Sequence, residues 1–180
     1  MKKRLFLAGP IGCGKSTAIA NALGEKISQC GGFLTRRYRE PYLHFTLESP
    51  DGSQKATFLE FAEGTPRLNA EVFDTLGAEL LKGDFLLLDE IGGIELLCPA
   101  FMAALEQVLK RDIPIIGVMK GEGSAFAVIQ TLGLTENYEL AAARLRAWLQ
   151  NDGDTLLYAC SQFDEHARYL AENWVKEYCP

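Results

Sequence analysis

Short apolar runs alternate along the chain with segments whose hydrophobic residues recur at helical spacing, a pattern that predicts an α/β layer architecture around a largely parallel sheet. Leu5-Phe6-Leu7-Ala8 reads as a buried strand, followed by a glycine-rich turn and a helix from Lys15 to Ser28. Gly31 to Thr35 opens a second strand. Alternation from Tyr42 to Leu47, the turn Ser49-Pro50-Asp51-Gly52 and a run from Thr57 to Phe61 predict an antiparallel hairpin insert. Asn69 is placed to cap a helix carrying Val72, Phe73, Leu76 and Leu80 on one face, and Gly83 to end it. Phe85 to Leu88 is continuously apolar, as expected of a strand covered on both faces.

The alternation continues to the end of the sequence. Phe101, Leu105, Val108 and Leu109 mark an amphipathic helix and Ile113 to Met119 another buried strand. Tyr138, Ala141, Leu145, Trp148 and Leu149 form a helical stripe, Thr155 to Ala159 a strand, and Phe163, Ala167, Leu170, Trp174 and Tyr178 a final stripe. The aromatic stripes read as core. With no repeat, low-complexity tract or linker, residues 1–180 are expected to form one domain.

Charge narrows the range of ligands. The 180 residues carry 18 Lys+Arg against 24 Asp+Glu, a net charge of −6, which argues against general nucleic-acid or anionic-membrane binding. The five cysteines are scattered without a C-x-x-C pair, and the two histidines, His44 and His166, have no visible catalytic partner. Neither a disulfide framework nor a zinc site is indicated, and a reducing compartment fits. Lys2, Lys3 and Arg4 precede an apolar stretch that Gly9-Pro10 interrupts, too short for an export signal, and no later run is long enough to span a bilayer. A cytoplasmic location is expected.

Chemistry enters at Gly9-Pro10-Ile11-Gly12-Cys13-Gly14-Lys15-Ser16, which fits G-x-x-x-x-G-K-[ST] between a strand and a helix. In such a loop, glycines let successive backbone N–H groups turn inward on phosphate oxygens, and the helix start adds its positive dipole end. Gly9 to Thr17 are therefore the candidate phosphate-binding residues: Lys15 to reach the β- and γ-phosphates, Ser16 to ligate Mg²⁺, and Thr17 to lie by the α-phosphate. Cys13 is read as a small loop residue. The second candidate cluster is Asp89-Glu90, ending an apolar strand and pointing in different directions, beyond the carboxyl edge where open α/β sheets gather ligands. Asp89 suits Mg²⁺ through water, and Glu90 suits orientation or deprotonation of the attacking water. Lys120 follows the strand Ile113 to Met119 and is a candidate to stabilise γ-phosphate charge. Arg37 and Arg39 would face one side of a strand and Arg36 the other, so they do not form one patch.

The loop Gly9 to Ser16, the strand start Gly31-Gly32-Phe33-Leu34-Thr35 and the segment Asp89-Glu90-Ile91-Gly92-Gly93-Ile94-Glu95-Leu96 resemble the THEP1-type nucleoside triphosphatases over about the first 120 residues. That resemblance implies a P-loop NTPase three-layer sandwich with a RecA-like or AAA-like core. It also implies Mg²⁺-dependent hydrolysis of ATP, GTP and other nucleoside triphosphates, phosphate binding by Gly12, Gly14, Lys15 and Ser16, metal support by Asp89 and hydrolysis assisted by Glu90. The chain departs from the family pattern at Gly93, where a basic residue is frequent, and over Arg39 to Phe45, which replaces a G-x-R-x-G-F-type signature.

Three functions share these motifs. A hydrolase of nucleoside triphosphates is the leading expectation. A kinase for a nucleotide or small acceptor fits the compact size, although no arginine-rich lid segment follows Asp89-Glu90. A nucleotide-dependent switch would use the Arg36 to Glu48 insert or the divergent C-terminal third to meet a protein partner, which no motif identifies.

Overall fold

A computed structural model describes residues 1–121, 126–162 and 164–179. Its eight strands form one sheet. They are β1 (Arg4–Gly9), β2 (Gly31–Tyr38), β3 (His44–Glu48), β4 (Lys55–Ala62), β5 (Thr65–Leu68), β6 (Leu86–Ile91), β7 (Ile115–Lys120) and β8 (Thr155–Ala159), in the spatial order β5-β4-β3-β2-β6-β7-β1-β8. The pairs from β2 through β6, β7 and β1 to β8 are parallel; those joining β2, β3, β4 and β5 are antiparallel. The mixed α/β sheet and its insert are as the pattern predicts. The insert is larger than the expected hairpin, because Thr65–Leu68 adds a strand too short to register as alternation.

The apolar strands serve two cores at once. Leu5, Leu7, Leu87, Ile116 and Val118 point to one face, against Ile19 and Leu23 of α1 (Lys15–Leu23) and Leu170, Trp174 and Val175 of α6 (Glu165–Tyr178). Phe6, Leu86, Leu88, Ile115 and Met119 point to the other, against residues of α3 (Pro99–Leu109) and α5 (Thr135–Asn151). Period-two alternation within continuously hydrophobic strands thus produces the three layers. Each such buried side chain contributes roughly 1.5–3 kcal/mol.

Several boundaries differ from the sequence expectation. α1 ends at Leu23 and a 3₁₀ segment, Gly24–Gln29, completes the stretch to Ser28 and beyond. The helix expected after Asn69 widens to π geometry over Phe73–Gly77 before a short α2 (Ala78–Leu80). Asn69 itself spends its backbone N–H on Phe58 O. A short α4 (Phe126–Thr131) was not anticipated, and Phe163 of the final stripe lies outside the described residues. The paired glycines at the start of β2 have a steric cause: a Cβ on Gly32 would overlap Leu87 O of the neighbouring strand, and Gly32 has φ +92°.

The parallel arrangement brings the carboxyl ends of β1, β7 and β6 to one edge, with β7 between the other two. Gly9, the last residue of β1, pairs with Lys120, the last of β7.

Candidate functional site

The turn leaving β1 wraps back on itself before α1 begins. Gly12 and Gly14 have φ +78° and +94°, values that carry side chains only under strain, and Gly14 is the N-cap of α1. Lys15 is 8% exposed, and its Nζ donates to neutral acceptors of its own loop, Gly9 O at 3.0 Å, Pro10 O at 2.7 Å and Cys13 Sγ at 3.5 Å. No acid lies within ion-pair distance of it among the described residues. A sequestered ammonium ringed by neutral oxygens at a helix N-terminus favours an anionic ligand.

Across the sheet edge, Ser16 Oγ donates to Asp89 Oδ1 at 2.8 Å. Asp89 is 4% exposed, and burial pushes its carboxyl up to about 6, against the Ser16 hydrogen bond and with the charge of Glu90 adding to the rise. A hydroxyl and a buried carboxylate are hard oxygen donors, and a carboxylate held in so little water gains from a cation; both suit Mg²⁺. Thr35 of β2 donates its hydroxyl to Asp89 O at 3.1 Å and braces the same residue from the other side.

The two acids were expected to end their strand, and β6 carries both and runs one residue further, to Ile91. Its register with β7 shifts between Leu88 and Ile91, and Glu90 has φ +68°. The bulge turns Glu90 away from Asp89 at a conformation uncommon outside glycine, a form of strain concentrated at functional sites. Glu90 Oε2 stands 3.3 Å from Lys120 Nζ.

Two further groups shape this edge, Glu95, to which the sequence assigns no role, and Tyr138, expected only as core. Glu95, 3% exposed, accepts from the backbone N–H of Gly92 at 2.5 Å and of Gly93 at 2.7 Å. Burial raises its carboxyl above the ordinary range, with Lys120 and those two N–H groups opposing the rise. Tyr138 of α5 donates to Gly92 O at 2.9 Å and fixes the same turn from outside. The available signal for Glu95 was an acid set between Ile94 and Leu96, two residues after Gly93. Gly93 also fits locally: a Cβ there would lie 2.9 Å from Glu95 Oε2 and 3.0 Å from Lys120 Cε. Lys120 thus occupies the space beside Gly93.

Of the arginines, Arg36 is half-buried and close enough to Asp89 to favour its charged form, Arg37 lies 5.9 Å over the Phe45 ring, and Arg39 is exposed beyond β2. His44 stacks on Tyr38 and His166 on Tyr169.

A family described as NTPase matches residues 4–142. The chain belongs to that family. This NTPase is 30% identical over 132 residues to the nucleoside-triphosphatase THEP1 of Methanosarcina acetivorans, an alignment covering 64% of this chain and 75% of the relative. It is 26% identical over 131 residues to the THEP1 of Methanocaldococcus jannaschii, covering 64% and 77%. The crystal structure of THEP1 from Aquifex aeolicus superposes with a TM-score of 0.63 at 15% identity, covering 98% of this chain and 99% of that one. The solution structure of a human cancer-related nucleoside triphosphatase gives 0.63 at 21% identity, covering 96% and 95%. The two structures share the fold of this NTPase. The family match ends within α5, so β8 and α6 lie outside it while still completing the sheet and one of its cores.

Proposed function

We propose that this NTPase hydrolyses nucleoside 5′-triphosphates, ATP and GTP among them, to the diphosphate and phosphate in a Mg²⁺-dependent reaction. The observation that carries this reading is the 2.8 Å hydrogen bond from Ser16 to Asp89, which joins the loop of one strand to the acid of another. In this proposal the backbone N–H groups of Gly9 to Thr17 cradle the phosphates, Lys15 exchanges its loop carbonyls for β- and γ-phosphate oxygens, and Ser16 and Asp89 hold the metal, Asp89 through water. Bound Mg²⁺ would neutralise charge on the β- and γ-phosphates.

Glu90, turned out of the strand by the bulge, orients a water and takes its proton, while Lys120 balances charge at the γ-phosphate. Broad base tolerance follows from a loop that engages phosphate alone. The net charge of −6 supports a small nucleotide over a nucleic acid, and five free cysteines support a cytoplasmic setting. We also assign residues 1–180 to one domain, in keeping with the single sheet.

Phosphate release from MgATP and MgGTP, with and without a chelator, tests the reading. Turnover that requires Mg²⁺ and falls in Asp89→Asn is expected; equal turnover in the chelated sample would overturn the metal dependence.

A further inference from the structure

The antiparallel insert does more than extend the sheet. Between it and the edge that carries Glu90 lies a cavity of about 120 Å³ walled by Phe33, Phe45, Phe58, Phe61 and Phe73, with Val128 of α4 facing them. Phe33, Phe58 and Phe73 are buried, whereas Leu43, Phe45, Phe61 and Val128 remain partly exposed, so a fully packed floor supports an open rim. A cavity of about 150 Å³ with such an apolar lining takes up benzene. One six-membered ring fits; a nucleoside does not.

The other end of the cavity is polar. Glu90, Glu95 and Lys120 line it, together with Thr35. Two carboxyl groups face a single ammonium, which favours a neutral or cationic acceptor over one bearing its own carboxylate. Glu90 and Lys120 are also the groups assigned above to the γ-phosphate. The cavity therefore lies beyond the transferable phosphate.

We propose that this cavity binds a single-ring aromatic alcohol as a phosphoryl acceptor, giving the NTPase a small-molecule kinase activity. The inference rests on the triphosphate reading of Gly9 to Ser16. With the ring among the phenylalanines, the hydroxyl points at Glu90. Its oxygen attacks the γ-phosphorus and forms the new P–O bond, while the bond from that phosphorus to the β,γ-bridging oxygen breaks and its electron pair leaves with the nucleoside diphosphate. The hydroxyl proton passes to Glu90. The products are a phosphate monoester and a nucleoside diphosphate, and hydrolysis is the same step with water in the hydroxyl's place.

The test uses the full chain and a panel of benzyl alcohol, phenol and the isomeric pyridinemethanols, with benzoate as an anionic control. Binding is read by ligand-observed NMR, and γ-labelled MgATP then reports where the label goes. Expected are binding of ring alcohols but not benzoate, label on the alcohol oxygen, and an affinity lowered about tenfold or more by filling the cavity with Val128→Phe. Leu43→Trp at the rim serves as a second filled variant, with circular dichroism confirming that each is folded. Ring alcohols that fail to bind a folded protein, or that bind while label appears only as inorganic phosphate, overturn the proposal. MgATP binding is measured on the same samples; its absence removes the triphosphate reading and the transfer with it, whereas its presence without acceptor labelling removes the acceptor site alone.

Discussion

Glu90 Oε2 and Lys120 Nζ stand 3.3 Å apart across the ends of β6 and β7, two strands that reach this edge from sequence positions thirty residues apart in numbering, 90 and 120. The pair joins the proposed base to the proposed charge-stabilising group. Only the base removes a proton, so the two substitutions should behave differently.

Glu90→Gln keeps the shape of the side chain and removes its basicity. Turnover is expected to fall by about 10²-fold or more, the range for general bases, with MgATP affinity retained. Single-turnover phosphate release beside equilibrium nucleotide binding checks this. Parallel loss of both would mean that Glu90 supports the loop and does not act on water.

Lys120→Met removes the ammonium between Glu90 and Glu95. If Lys120 acts on charge that develops at the γ-phosphate, kcat falls by about 10-fold to 10²-fold with little change in KM, the signature of an interaction gained in the transition state. Lys120→Arg should restore part of the rate. A rise in KM alone would place Lys120 in ground-state binding.

Gly32→Ala addresses stability instead of chemistry. The added Cβ would overlap Leu87 O and sit on a backbone at φ +92°, with a neighbouring strand that cannot move without breaking the β2–β6 pairing. A loss of more than about 3 kcal/mol is expected from strain and overpacking together. Urea unfolding of the variant measures it, and a shift under ~1 kcal/mol would show that the strand yields.

How legible this was in the sequence differed by feature, for physical reasons. Strand β1 and the loop after it were readable because phosphate binding needs glycine, lysine and a hydroxyl at fixed local spacing. The α/β class followed from apolar strands such as Leu86-Leu87-Leu88, whose neighbours in sequence serve opposite cores. β5 was missed because Thr65–Leu68 is short and half-exposed, with Pro66 inside it. The role of Glu95 and the bulge at Glu90 were missed because each depends on a non-local match: one on Lys120 and a glycine turn, the other on the register between β6 and β7. The cavity belongs to the same class, since its phenylalanines come from four separate elements and read singly as core.

Arg4 and Asp152 supply a pH dependence remote from the site. Arg4 Nη1 donates to Asp152 Oδ2 at 2.7 Å, Arg4 Nη2 donates to Arg111 O at 2.7 Å, and the Arg4 side chain is 6% exposed against 21% for Asp152. Burial alone would raise the Asp152 carboxyl, but the Thr155 hydroxyl and Arg4 outweigh it and hold the group below its ordinary 3.8. A carboxylate depressed on folding gives up a proton more readily in the folded chain. Its contribution is therefore complete above the unfolded value of 3.8 and is lost as pH falls through the lower folded value. Asp152→Asn should cost about 1 kcal/mol near neutral pH, reduced from the buried-pair range by the residual exposure of Asp152, and the cost should shrink as pH falls below the unfolded value of 3.8. Urea midpoints of the wild type and variant, compared at both pH values, isolate this pair from carboxylates common to both. A difference that stays constant on acidification would show that the hydrogen bond to Thr155, and not the charge on Asp152, secures the end of β1 against β8.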